Sequence, residues 1–138
     1  MTPIYFAAEA IRRRLAAIAH AADDNRIDDY VACFTPDAVW EIPSGTYSGR
    51  DEIRTVLEAI APRQPQRHVV TNSAIEVKDQ RAIAISDFVF LVYGDSGWSV
   101  AAIGRYHDVF HEAGGGDWRL GHRAVRDQTP DGYMPSTP

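Results

Sequence analysis

The chain has 138 residues, of which 45% are hydrophobic and 24% are charged, and this fits one globular domain with its own core. Its 14 Lys and Arg residues stand against 19 Asp and Glu residues, so the net charge is -5 at pH 7. Nucleic-acid-binding surfaces are normally basic, so this class of partner is disfavoured. A single cysteine, Cys33, excludes an internal disulfide and a thiolate zinc site. Because no leader and no long apolar run are present, we expect a cytoplasmic protein without membrane contact.

The first part of the chain has the apolar spacing of two helices. Apolar residues recur at helical intervals from Ile4 to His20 and resume at Ile27. Between these stretches, Asp23, Asp24 and Asn25 form an acidic corner of the kind that ends or caps a helix. We therefore expect two antiparallel helices joined by this corner.

A strand, a tight passage and a third helix are predicted next. The stretch Ala38–Ile42 is strand-like in composition and ends at a proline. Glycines on both sides of Thr46 and Tyr47 indicate a short strand in a tight, hairpin-like passage. The apolar stripe of Arg50–Ile60 then predicts a helix, which Pro62 stops.

The second half of the chain consists of four long runs rich in Val, Ile, Phe and Tyr, which predict strands. Their bounds are Arg67–Val77, Arg81–Tyr93, Trp98–His111 and Trp118–Val125. Short separators with turn residues make antiparallel hairpins the simplest connections. Helices segregated against a curved antiparallel sheet make the fold class α+β. We place one domain at residues 1–127 and an irregular, proline-containing tail at 128–138.

Five short motifs, in their order and spacing, resemble the SnoaL-like group of the nuclear-transport-factor-2-like superfamily. They are Phe34–Glu41, Gly45–Arg50, His68–Asn72, Gly104–Asp108 and Asp117–Leu120. The resemblance covers about residues 4–126. It implies a cone-shaped fold in which a curved antiparallel sheet, packed on three N-terminal helices, encloses an apolar pocket. Because this fold hosts many unrelated functions, the activity has to be argued from the pocket residues.

Comparison with the ketosteroid isomerases of this superfamily argues against their chemistry. Those enzymes use an aspartate base near the end of the first strand, a tyrosine donor on the first helix and a protonated aspartic acid on a late strand. The matching positions here hold Ile42, Ile18 and about Gly104, which supply neither an acid nor a donor.

Scytalone dehydratase and the hexachlorocyclohexane dehydrochlorinase resemble this sequence more closely at two positions. Both use a histidine at the start of the third strand and an aspartate at the first helix corner, and these positions match His68 and Asp23. In such a dyad a neutral imidazole removes a proton, while the carboxylate fixes its tautomer and stabilises the imidazolium. The alternatives are a surface or structurally satisfied histidine at His68 and a helix cap at Asp23.

The remaining pocket residues follow from strand alternation and from the resemblance. Candidates for substrate binding are Tyr93, Asn72, Arg105, Trp40, Ile42 and Leu91. Tyr93, Asn72 or Arg105 would polarise a carbonyl or stabilise a leaving oxygen, and Trp40 and Ile42 would form an apolar wall. Two alternatives are a rim position for Tyr93 and hydrogen bonding to backbone at a strand bulge for Asn72. Alternation leaves open whether Arg105 and His107 or Tyr106 and Asp108 point inward.

The sequence therefore predicts a small lyase of the dehydratase type, or an isomerase, that acts on a hydrophobic cyclic or polyketide- or steroid-like metabolite. No cofactor and no metal are expected. The alternatives are a non-catalytic ligand-binding or assembly module, and an epoxide hydrolase or cyclase in which Arg105 and Asp87 form part of an acid–arginine–acid group. Since long apolar strands would leave a face exposed, we also expect a homodimer, with a trimer as the alternative.

Overall fold

The computed structural model describes residues 3–128 and contains three helices and six strands in that range. The helices are α1 (Pro3–Asp23), α2 (Ile27–Ala32) and α3 (Arg50–Ala59). The strands are β1 (Phe34–Ile42), β2 (Gly45–Ser48), β3 (Gln66–Lys78), β4 (Arg81–Gly94), β5 (Gly97–Glu112) and β6 (Trp118–Asp127). All nine elements correspond to predicted ones. The predicted tail lies outside the described residues except for Gln128.

The end of α1 is closed by backbone geometry rather than by the acidic side chains of the corner. Asn25 has a φ of 55°, and the Arg26 N–H donates to the Ala21 carbonyl at 2.9 Å, as in a Schellman cap. Asparagine tolerates this left-handed conformation better than most residues do. Asp23 is therefore the last helical residue, and α2 begins without a side-chain cap, so the Asp23 carboxylate serves neither helix as a cap.

The six strands form one curled sheet in the order β2-β1-β6-β5-β4-β3. Four neighbouring pairs are antiparallel, but β1 and β6 run parallel. The predicted α+β class with a curved sheet is confirmed, and the sheet differs from the predicted antiparallel arrangement at this one pair. The reason is connectivity: β1 and β6 are separated by most of the chain, so no hairpin fixes their relative direction.

The two faces of the sheet differ in burial. The inner face packs against the helices and contains the buried side chains of Phe88, Tyr106 and Phe110. The opposite, outer face contains side chains that are exposed although they are large and apolar, namely Val69, Ile83, Tyr93, Trp98, Val100 and Ile103. On β5, Tyr106 and Asp108 point inward, which decides the alternative that the sequence left open.

Four register shifts interrupt the strand pairing of the sheet, and two of them bear on the predicted site residues. The register of β3 against β4 shifts between Thr71 and Ala74, where Asn72 has a φ of 52°. The register of β5 against β6 shifts between Val109 and Phe110. A bulge moves every later side chain of its strand to the other face, so simple alternation misplaces the residues beyond it.

In the part of the chain that the structure describes, no helix is long and apolar enough to cross a membrane.

Candidate functional site

A cavity of about 330 Å³ lies between the helices and the inner face of the sheet. This volume falls in the range of pockets that hold small organic ligands. Most of its wall is apolar and comes from α2, β1, α3 and the inner face, for example from Ile27, Trp40, Ile42, Leu57, Phe88 and Phe90. Trp40 and Ile42 therefore lie where the sequence predicted an apolar wall.

His68, at the start of β3, lines this cavity and pairs with Asp23 at the end of α1. The His68 Nδ1 atom lies 2.6 Å from Asp23 Oδ1, and the His68 backbone N–H donates to Asp23 Oδ2 at 2.8 Å. The Asp23 side chain is only 5% exposed and that of His68 is 22% exposed. With Nδ1 held by the carboxylate, Nε2 is the ring nitrogen that remains available to a ligand. The His68 ring also stacks on Phe90 at a centroid distance of 4.5 Å, which fixes its plane.

The surroundings of Asp23 keep its carboxylate ionised. Burial raises the pKa of this group, but hydrogen bonds from the side chain and backbone of His68, together with one from Gln66, outweigh burial, and the net pKa is lowered. The Gln66 amide donates to Asp23 Oδ1 at 3.3 Å. An ionised carboxylate beside Nδ1 stabilises an imidazolium, so the pair has the chemical character of a general base.

A second polar group of the cavity wall is formed by Arg123 on β6. Its Nε donates to Asp108 Oδ1 at 2.8 Å and one Nη donates to Asp108 Oδ2 at 2.9 Å. Both side chains are almost completely buried. The guanidinium carbon lies 3.8 Å from the centre of the Tyr106 ring, a cation–π contact. Arg123, Tyr106 and Tyr30 all line the cavity.

Burial and the Arg123–Asp108 pair together determine the ionisation states of Arg123, Tyr30 and Tyr106. Burial lowers the pKa of Arg123, but the charge and hydrogen bonds of Asp108 more than compensate, so its pKa is raised and the guanidinium stays charged. Burial raises the pKa of both Tyr30 and Tyr106, and Arg123 counteracts this only in part. Both phenols therefore keep their protons at neutral pH and can act as hydrogen-bond donors.

One donor at the cavity has no partner. The indole Nε1 of Trp40 is the one buried side-chain polar atom without a hydrogen bond among residues 3–128. Buried N–H groups usually find an acceptor, because an unmade hydrogen bond costs about 1–3 kcal/mol. Such an atom at a ligand-sized cavity is a feature that a bound acceptor would explain.

The family model for SnoaL-like domains matches residues 7–124. The chain belongs to this family. The predicted resemblance is thereby confirmed, and family and cavity together indicate a SnoaL-like domain that binds or transforms a small molecule. No curated protein matches the chain in sequence.

Several solved structures share the fold of this chain. A protein of unknown function from Mycobacterium tuberculosis aligns with a TM-score of 0.82 at 24% identity over 88% of this chain and 72% of that chain. A candidate scytalone dehydratase from Novosphingobium aromaticivorans aligns with a TM-score of 0.77 at 22% identity, covering 91% and 87%. A protein from Catenulispora acidiphila, solved in complex with S-DNPA, aligns with a TM-score of 0.79 at 25% identity, covering 86% and 91%.

Four of the predicted substrate-binding residues do not line the cavity of this SnoaL-like domain. Leu91 and Tyr93 alternate with the inward-facing Phe90 and so project from the outer face, where Tyr93 is 47% exposed. The error arises because alternation identifies which residues of a strand share a face but does not identify the face that is covered.

Asn72 and Arg105 also lie outside the cavity, for two different reasons. The bulge in β3 breaks the alternation between His68 and Asn72, so Asn72 donates instead to Asp87 Oδ2 at 3.1 Å. The Arg105 side chain projects from the outer face of β5 and donates to Asp87 Oδ1 at 2.7 Å. These three side chains form a polar cluster on the outer face of the SnoaL-like domain.

Arg123, Asp108, Tyr106 and Tyr30 are the cavity group that sequence reasoning did not select. Tyr106 and Asp108 were recognised as a pair with undecided orientation, and the cross-strand register joins Asp108 to Arg123. Arg123 and its neighbour Ala124 are both buried, so burial does not alternate at this point of β6. The sequence pattern of β6 therefore does not indicate that Arg123 points inward. Among the described residues no group of three or more potential metal ligands is present.

Proposed function

We propose that this SnoaL-like domain is a lyase of the dehydratase type, or an isomerase, that needs no cofactor and acts on a hydrophobic cyclic metabolite of polyketide or steroid type. His68 is the general base and acid, and Asp23 orients it. The observation that carries the proposal is the 2.6 Å contact between His68 Nδ1 and Asp23 Oδ1 in a histidine that lines an apolar cavity. Exclusion of water from such a cavity strengthens the electrostatic interactions inside it.

The reaction begins with proton transfer to the imidazole. His68 Nε2 removes a proton from a carbon next to a carbonyl, and the C–H electron pair forms an enolate while Asp23 stabilises the imidazolium. In the elimination, the enolate electrons form a carbon–carbon double bond and expel a hydroxyl group from the neighbouring carbon. The imidazolium returns its proton to that oxygen, so water leaves. In the isomerisation, the same proton returns to a different carbon.

Charge on the enolate oxygen is stabilised by the Arg123 group in place of the predicted Tyr93, Asn72 and Arg105. Arg123 has N–H bonds beyond the two directed at Asp108, and it also hydrogen-bonds Tyr30, while Tyr30 and Tyr106 keep their hydroxyl protons. Hydrogen-bond donors fixed in a cavity of low polarity are the usual means by which enzymes stabilise such oxyanions.

Deuterium exchange into 1-tetralone tests the proposal without knowledge of the natural substrate. This bicyclic ketone carries exchangeable protons next to its carbonyl, and proton NMR in D2O follows their loss near neutral pH. The wild-type protein is expected to accelerate the exchange, and His68→Gln to lose the acceleration by about 10²-fold or more. Circular dichroism confirms that the variant is folded. Full exchange activity in His68→Gln contradicts the proposal.

The alternatives are less well supported by the geometry. A domain that only binds a ligand has no need of the hydrogen-bonded His68–Asp23 pair, in which Nδ1 and Oδ1 lie 2.6 Å apart. An epoxide hydrolase built on Arg105 and Asp87 requires both in the pocket, but this pair lies on the outer face.

The outer face supports a homodimer. Four large apolar side chains of this face are between 47% and 57% exposed, namely Tyr93, Trp98, Val100 and Ile103. The ring centroids of Tyr93 and Trp98 lie 5.5 Å apart. Exposed apolar patches of this kind are typical of interaction surfaces, and a second copy of the chain covers such a face symmetrically. A trimer is the alternative assembly, and cytoplasmic location stays a prediction from the sequence.

A further inference from the structure

The positive charge at the cavity wall is already neutralised from within the protein. Arg123 is the single Lys or Arg side chain among the described residues that line the cavity. Asp108, which lies behind it, engages the guanidinium through two parallel hydrogen bonds at 2.8 and 2.9 Å. With side chains 3% and 0% exposed, this pair is screened very little by solvent. The pair therefore has no net charge when seen from the cavity.

A bound anion would find little compensation there. Moving a carboxylate from water into an apolar cavity costs several kcal/mol unless a counter-charge or several hydrogen bonds replace its hydration. The Arg123 charge is balanced by Asp108, so within residues 3–128 the cavity wall offers no unbalanced arginine or lysine charge to such a ligand. That wall thus offers no net counter-charge to a ligand that enters as a carboxylate, whereas charge that develops on a bound carbonyl oxygen during the reaction is stabilised by hydrogen-bond donors.

The same wall is rich in hydrogen-bond donors. The guanidinium has five N–H bonds, of which two are directed at Asp108. Tyr30 and Tyr106, whose hydroxyls keep their protons, also line the cavity. The Trp40 indole N–H, in a side chain that is only 5% exposed, has no partner among residues 3–128. An uncharged carbonyl oxygen accepts such hydrogen bonds at a much smaller desolvation cost than a carboxylate.

We propose that the cavity selects neutral ketones that carry a ring system over carboxylates on the same ring system, and that Asp108 sets this selectivity by neutralising Arg123. The proposal deepens the proposed function and rests on its premise that this cavity is the substrate site. Asp108 acts through Arg123 and is a positioning residue. It does not line the cavity itself.

The first test compares two ligands that share one ring system. 1-Acetonaphthone and 1-naphthoate differ in that a methyl ketone replaces a carboxylate, which is ionised at pH 7. Isothermal titration calorimetry with the wild-type protein is expected to give at least tenfold tighter binding of the ketone. Equal or tighter binding of 1-naphthoate overturns the proposal. This comparison needs no variant and does not depend on the stability of any substitution.

The second test exposes the arginine charge. Asp108→Asn keeps the shape of the side chain but removes its charge, so binding of 1-naphthoate relative to 1-acetonaphthone is expected to rise at least tenfold. Asp87→Asn makes the same change in the outer-face pair, 2.7 Å from Arg105, and is expected to leave the ratio unchanged. An unchanged ratio in folded Asp108→Asn overturns the role of Asp108.

A double variant keeps the test decisive if Asp108→Asn does not fold. Asp108→Leu combined with Arg123→Met removes both charges, so the cavity stays uncharged and 1-naphthoate is expected to bind no better than to the wild type. Tighter binding of 1-naphthoate to this double variant contradicts the proposal.

The failure of the two proposals is distinguishable. If neither probe binds the wild-type protein, the cavity is not the substrate site and both proposals fall. If the ketone preference is found but His68→Gln retains full exchange activity, the charge selectivity stands and only the proposed reaction fails. Binding of 1-acetonaphthone to His68→Gln with loss of exchange supports both.

Discussion

Two aspartate–arginine pairs join neighbouring strands of the sheet, one on each face. Asp108 and Arg123 face each other across β5 and β6 on the inner face, while Asp87 and Arg105 do so across β4 and β5 on the outer face. Their hydrogen-bond lengths are similar, at 2.8 and 2.7 Å. The inner side chains are at most 3% exposed, whereas the outer ones are 31% and 43% exposed. The same two residue types therefore form pairs with different properties on the two faces, because only the inner pair is shielded from water and adjoins the cavity.

Two histidine–carboxylate pairs show the same contrast. His68 Nδ1 lies 2.6 Å from the buried Asp23, in the wall of the cavity. His122 Nε2 lies 3.3 Å from Glu41, and both of these side chains are more than a third exposed and do not line the cavity. The two solvent-exposed pairs, Asp87–Arg105 and Glu41–His122, are therefore matched controls for the two pairs at the cavity.

The largest expected effect on stability comes from breaking the inner ion pair. Arg123→Met leaves the Asp108 carboxylate buried without its partner, which is expected to lower the free energy of unfolding by about 3–5 kcal/mol. Arg105→Met leaves Asp87 in contact with water and is expected to cause a much smaller loss. Urea denaturation of both variants measures the difference, and equal losses would contradict the distinction between the faces.

The inner histidine–carboxylate pair is expected to dominate the exchange reaction. Asp23→Asn removes the charge that orients His68 and stabilises its imidazolium, so deuterium exchange into 1-tetralone is expected to fall about tenfold or more. Glu41→Gln makes the same change beside His122 and is expected to stay within twofold of the wild type. A comparable fall in both variants would show that the cavity pair has no special role.

Asp23 is also expected to make the fold sensitive to acid. Its pKa is lowered in the folded protein from an ordinary value of 3.8, so the carboxylate contributes stability that is fully present above that pH and is lost as the pH falls through the folded-state pKa. Chemical denaturation of the wild type and Asp23→Asn should therefore differ most near neutral pH and converge in acid. A difference that grows on acidification would have the wrong sign.

The outer face is expected to control assembly with little effect on the fold of one chain. Light scattering at micromolar concentration should report a dimer for the wild type. Val100→Asp places a charge in the exposed apolar patch, and this variant should be monomeric, with a far-ultraviolet circular dichroism spectrum unchanged. A monomeric wild type would refute the predicted interface.

The fold could be read from the sequence to within a few residues because apolar periodicity, prolines and turn residues mark the ends of elements such as Arg50–Ala59 and Arg81–Gly94. The contact between Asp23 and His68 follows from the family resemblance, because His68 lies in one of its motifs and Asp23 matches the helix-corner position that precedes another. Local pattern could not show which face of β5 is covered or where β3 and β6 bulge. Asn72 and Arg105 were therefore assigned to the cavity, and Arg123 was not.

The most direct measurement is the rate of deuterium exchange into 1-tetralone in His68→Gln relative to His122→Gln. Both substitutions remove an imidazole beside a carboxylate, but only the first acts on the cavity. A SnoaL-like enzyme that uses His68 as its base should lose about 10²-fold or more in the first variant and less than twofold in the second. Equal rates in the two variants, with both folded, would contradict the assignment of His68 as the catalytic base.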